Sequence, residues 1–211
     1  MPVPEQPVPE QHGPGPALQV LHLTGQSDPR SCALSPVQHA FLDALPLPES
    51  AKVRLNFPYD EQLAPYRPVP LWRGSLHHAV LAWRIRRPGW APRHRDRVLE
   101  VLRRADRTLV LAGSIGLDLL GRLDLSRDVL DRLVVVAYGA VATAPPACRT
   151  IRVGSRSDLL ARWWRSDVWV EAGHLDYLAS PDLAALCADL VRELQRQAPA
   201  PGPRQAPEAH A

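Results

Sequence analysis

Two apolar runs constrain the fold most, Thr108-Leu-Val-Leu-Ala112 and Leu133-Val-Val-Val-Ala137. A strand apolar along its whole length must be covered on both faces, and the second run is the most β-prone stretch of the chain. Between them, residues from Ile115 to about Leu123 read as a helix. The same alternation recurs elsewhere. Leu18 to Thr24 reads as a strand, and Ser35-Pro36 supplies an N-cap and first-turn proline for a helix through Leu45. Lys52 to Phe57 reads as a second strand, and the prolines at 58, 65, 68 and 70 make residues 58–72 a loop. Ser75 caps a helix to about Arg86. A further helix ends near Ala105, with Val98, Val101 and Leu102 on its apolar face. Thr150–Val153 and Val168–Val170 add two strands. Ser180-Pro181 opens a last helix, with Leu183, Leu186, Leu190 and Leu194 on its buried stripe. Strand–helix alternation of this kind predicts an α/β fold, a mostly parallel six-stranded sheet with helices on both faces.

The ends of the chain differ in kind. Residues 1–18 contain a tandem Pro-Val-Pro-Glu-Gln repeat, and residues 197–211 are rich in Pro and Ala; ten of the 23 prolines fall in these two stretches. Both are expected to be extended, flexible tails. The remainder, 19–196, is one domain long enough to bury a core. No apolar run approaches the ~20 residues of a membrane span, and the first residues lack a basic start followed by an apolar stretch. Cys32, Cys148 and Cys187 are scattered, without a metal-binding or disulfide pattern. The expectation is therefore a cytoplasmic protein with no membrane partner.

The segment that carries chemistry is Leu109-Val-Leu-Ala-Gly-Ser-Ile-Gly-Leu-Asp-Leu-Leu120. A buried strand meets a helix through Ala112-Gly113-Ser114-Ile115-Gly116. That is the setting of the G-x-S-x-G nucleophile elbow, with Ala112 in place of the first Gly. A plain βα turn or a phosphate-binding loop would also suit the segment, although it matches neither G-x-G-x-x-G nor the P-loop. Two later segments add weight to the elbow. Val153-Gly-Ser-Arg-Ser-Asp158 puts an acid just past one strand, and Gly173-His174 lies just past the next. Ser, then Asp, then His, each at a strand's C-terminal end, is the chain order of a hydrolytic triad.

With these motifs in place, residues 19–196 resemble a small member of the α/β-hydrolase superfamily. The resemblance implies a minimal, lidless version of that fold: residues 139–148 are too few to hold a helical lid, so the site would be open unless the 58–72 loop covers it. It implies Ser114 as nucleophile, His174 as general base and acid, and Asp158 as the residue orienting the imidazole. The oxyanion hole would use the backbone N–H of Ile115 and, from the loop after the first strand, that of Gln26. There the family usually has His-Gly, and this chain has Thr24-Gly25. The fifteen residues between Asp158 and His174 are fewer than usual, so the helix from Leu159 should be about two turns. The implied activity is a serine hydrolase acting on a small-molecule carboxylic ester or thioester, with no metal or organic cofactor.

Other features have plainer readings. His77-His78 sits on a predicted helix without acids at metal spacing and reads as a solvated or partly packed pair. His22 reads as core, Asp118 as a stabilising acid in the first turn after Ser114, and Asp176 as a surface acid. Trp163-Trp164 either edges an acyl pocket or packs in the core. Nine arginines between Arg84 and Arg107 face only Asp96, Glu100 and Asp106. They fit a solvated helix face better than a nucleic-acid surface, since no recognition motif accompanies them. A basic nucleic-acid-binding domain and a non-catalytic hydrolase-fold binding module are the alternatives to the enzyme.

Overall fold

The computed structural model describes residues 15–60, 65–143, 145–161 and 165–197. The two Pro-rich segments, apart from 15–18 and Gln197, and the pair Trp163-Trp164 lie outside the described residues. Five strands form one wholly parallel sheet in chain order: β1 (Leu18–Leu23), β2 (Arg107–Gly113), β3 (Leu133–Tyr138), β4 (Arg149–Gly154) and β5 (Val168–Trp169). Six helices accompany them: α1 (Pro36–Ala44), α2 (Leu71–Ile85), α3 (Arg95–Leu102), α4 (Gly116–Gly121), α5 (Arg127–Leu130) and α6 (Pro181–Gln197).

The alternation of side chains along each strand divides the core. Leu21, Leu23, Val110, Ala112, Val135 and Ala137 face the layer built from α2, α3 and α4. Val20, Leu109, Leu111, Val134 and Val136 face α1 and α6. Helices thus cover both faces, and the central strands are buried throughout, as their apolar runs require. α1 starts where the sequence places it. The Ser35 hydroxyl accepts from the Gln38 N–H, and the Gln38 side chain accepts from the Ser35 N–H, a reciprocal cap that satisfies two orphan donors.

The sheet has five strands, not six. Residues 52–57 lie along the outer edge of β1 but touch it through a single parallel bridge, Val20 to Lys52, with the Val53 N–H donating to the Val20 carbonyl. Two side chains hold the segment out of register. Arg54 is drawn to Asp43 and Glu49, and Asn56 turns inward to Thr24. Three helix expectations also change. α2 begins at Leu71, four residues before Ser75, because Pro70 stands outside its first turn, where a missing N–H costs nothing. The helix ending near Ala105 is split into a 3₁₀ turn at Ala91–His94 and α3. Leu159–Ala161 form turns rather than the first turn of a helix.

This topology fixes where a ligand can sit. From β1 the chain leaves through α1 on one face and passes to 52–57 on the outer edge. From β2 it leaves through α4 on the other face and continues to β3. Successive connections diverge at β1 and β2, and a crevice opens beyond their C-terminal ends.

Candidate active site

Ser114 follows β2 directly and holds a left-handed backbone, φ +52°. A non-glycine residue there is strained by about 1–3 kcal/mol. Neighbouring bonds enforce it: the Ser114 N–H donates to the Tyr138 carbonyl, and the Ser114 carbonyl accepts from Val141. The flanking glycines are steric necessities. A Cβ on Gly116 would stand 1.7 Å from the Leu23 carbonyl oxygen, and one on Gly113 would stand 2.8 Å from the Tyr138 ring. The turn therefore closes only with glycine on both sides of the Ser114-Ile115 pair, and it lifts the serine hydroxyl out of the sheet.

Ser114 Oγ lies 3.4 Å from His174 Nε2, and His174 Nδ1 lies 2.9 Å from Asp158 Oδ2. The structure brings these three together from the ends of β2, β4 and β5. Asp158 is fully enclosed. Its Oδ1 accepts from the Leu160 and Ala161 N–H groups, and its Oδ2 accepts from the Tyr177 hydroxyl as well as from His174. Burial alone would raise its pKa. The hydrogen bonds from His174, Ala161 and Tyr177 outweigh that and hold it below the ordinary carboxylate range. An ionised Asp158 requires the proton of His174 on Nδ1, which leaves Nε2 to accept from the serine. Tyr177 stands three residues after His174, and spacing alone gives it no role. Its hydroxyl fixes the carboxylate orientation, and its own pKa is pushed up by burial and by the Asp158 charge.

The loop after β1 forms the facing wall. Thr24 is clamped by Asn56, whose Oδ1 accepts the Thr24 N–H at 2.9 Å and whose Nδ2 donates to the Thr24 hydroxyl at 2.9 Å. Gln26 anchors the loop by donating its side chain to the Ser31 carbonyl. Among the described residues, no acceptor takes the backbone N–H of Ile115 or of Gln26. His77 and His78 hold the loop from α2: His77 Nδ1 donates to the Ser27 carbonyl at 2.6 Å, and the His78 ring lies against Gly25, about 3.0 Å from where a Cβ would stand. Burial lowers the His78 pKa. His78 is therefore part of the site wall, and His77 holds the loop beside it, roles their spacing alone does not reveal.

Thr24, Gln26, His78, Ser114, His174 and Tyr177 line an open cavity of about 220 Å³. Tyr66 and Arg67, from the Pro-rich stretch before α2, form part of its rim, so that stretch borders the site. Among the described residues, 139–143 and 145–148 contain no helix, and no group of three or more His, Cys, Asp or Glu could hold a metal ion.

The other singled-out residues lie elsewhere. His22 is enclosed within β1, and burial pushes its pKa down to about 3, so it is neutral. Asp176 is exposed. Asp118 is fully buried and accepts from Arg86, Arg122 and Thr143, tying α4 to α2 and to the chain after β3. The arginines from 84 to 107 are spread over an outer surface. Several pair with acids, as Arg97 and Arg104 do with Glu100, and Arg87 stacks 3.4 Å over the Trp83 ring.

No protein-family model and no curated protein matches the sequence. Among the described residues, no helix is long and apolar enough to cross a membrane.

Proposed function

We propose that this chain is a serine hydrolase of the α/β-hydrolase fold that cleaves a carboxylic ester or thioester through an acyl-enzyme on Ser114. The observation that carries the reading is the continuous relay from Ser114 Oγ through His174 to a buried, four-times hydrogen-bonded Asp158. A left-handed serine at a strand-to-helix turn supports it, because such strain persists where function retains it. In the acylation step His174 Nε2 takes the serine proton as Oγ bonds to the carbonyl carbon. Ile115 and Gln26 donate to the oxygen that becomes negative. As the tetrahedral intermediate collapses, His174 protonates the departing oxygen or sulfur. Water, deprotonated by the same histidine, then releases the acid. The mechanism needs no metal or organic cofactor. The three free thiols, Cys32, Cys148 and Cys187, support a reducing, cytoplasmic setting.

A fluorophosphonate probe tests the proposal. It should label the wild-type protein at Ser114 and leave Ser114→Ala unlabelled. A folded wild type that resists labelling overturns the proposal in favour of a non-catalytic binding module.

A further inference from the structure

Most polar side chains around the Ser114 cavity already spend their hydrogen bonds within the protein. Gln38 bonds Ser35 and Thr24, Asn56 bonds Thr24, Asp28 bonds Arg30, and Tyr177 bonds Asp158. Tyr138, like the buried Nε2 of His78, does not. It ends β3, in register with Gly113, and it is only 7% exposed. Its ring fills the space that a side chain at 113 would need, which sets its hydroxyl beside the residue before the nucleophile, 2.8 Å from where that side chain would begin. The hydroxyl makes no hydrogen bond among the described residues, yet Tyr138 lines the cavity. Burial raises the phenol pKa, so the group stays protonated and can donate.

The directions around a tetrahedral carbon on Ser114 decide what this donor meets. The oxyanion points to Ile115 and to the loop after β1. The leaving group must face His174, which protonates it. The remaining substituent is the acyl chain, which must lie along the cavity wall that Tyr138 helps to line. An alkyl chain laid over the Tyr138 hydroxyl would cut it off from water without a partner. An oxygen in the same place would accept from it.

We infer that Tyr138 is a specificity-determining residue whose hydroxyl donates to an oxygen carried on the acyl chain, so that the site takes esters or thioesters of oxygen-substituted acids. This rests on the hydrolase reading above. The test uses two esters of equal size, p-nitrophenyl butyrate and p-nitrophenyl methoxyacetate, which differ by one methylene replaced by oxygen. The selectivity, the ratio of kcat/KM for methoxyacetate to that for butyrate, should fall about tenfold from wild type to Tyr138→Phe. Comparing the two proteins cancels the intrinsic reactivity of each ester. The melting temperature of the variant should stay equal or rise, since the hydroxyl has no partner to lose. An unchanged ratio, or a large fall in melting temperature, overturns the inference. So does a wild type labelled at Ser114 that turns over neither ester. A wild type neither labelled nor active overturns the hydrolase reading, and this inference with it.

Discussion

Replacing Asp158 by Asn is the sharpest probe of the relay, because the hydrogen bonds dictate how the amide must sit. Two backbone N–H groups, of Leu160 and Ala161, point at Oδ1 at 3.0 and 3.1 Å. An NH2 cannot occupy that end, so the amide oxygen takes it and the NH2 replaces Oδ2. It then faces His174 Nδ1 and the Tyr177 hydroxyl, which lie 2.9 and 3.0 Å from Oδ2. Tyr177 can rotate its hydroxyl to accept. His174 must move its proton to Nε2 and accept at Nδ1. The imidazole then presents an N–H to Ser114 and cannot take the serine proton. A wrong tautomer of this kind lowers kcat by about four orders of magnitude, roughly 5 kcal/mol of transition-state stabilisation. Every hydrogen-bonding group keeps a partner, so the folding free energy should change by less than about 2 kcal/mol. Single-turnover acylation by a chromogenic ester measures the first quantity and urea unfolding the second. A folded Asp158→Asn protein that acylates within tenfold of wild type refutes the assignment of Asp158.

Two further outcomes follow from the packing around the turn. Gly116→Ala puts a methyl 1.7 Å from the Leu23 carbonyl oxygen; it should cost about 3 kcal/mol in urea unfolding and lower the acylation rate by displacing the Gln26 loop. Asp118→Asn should cost about 2 kcal/mol at pH 7 through weakened charge-assisted bonds. Burial would raise the Asp118 pKa, but its bonds to Thr143 and Arg86 hold it below the usual carboxylate range. Its contribution is therefore complete above the unfolded value, about 3.9, and disappears as pH falls through the folded one. Urea titrations of wild type and variant should accordingly draw together as the pH falls below the unfolded value; a constant gap across pH would refute the role.

What the sequence disclosed was whatever local physics decides. The apolar runs of β2 and β3 admit only doubly covered strands, and Ser35-Pro36 marks the start of α1 by capping chemistry alone. The glycine after Ile115 signals a close approach, and the structure identifies the Leu23 carbonyl as what approaches. Tertiary partners hid the rest. Val53 and Leu55 alternate as a strand should, but Asn56 is claimed by Thr24 and Arg54 by two acids, so the ladder does not form. Tyr138 borders the site only through the β2–β3 register that places it opposite Gly113. His78 borders it only because α2 lies over the loop after β1. No spacing along the chain records either relation.

Ser114 and His174, the proposed nucleophile and base, stand on parts of the sheet with very different anchorage. Ser114 caps β2, which is hydrogen-bonded on both sides along its length, whereas His174 follows β5, a two-residue strand at the end of the sheet order with β4 on one side alone. Opening the β5 margin exposes little core, so its free energy lies well below that of global unfolding. Such an opening carries off the general base and leaves the serine turn in place. For the proposed hydrolase, loss of activity on warming is therefore expected to precede loss of the fold.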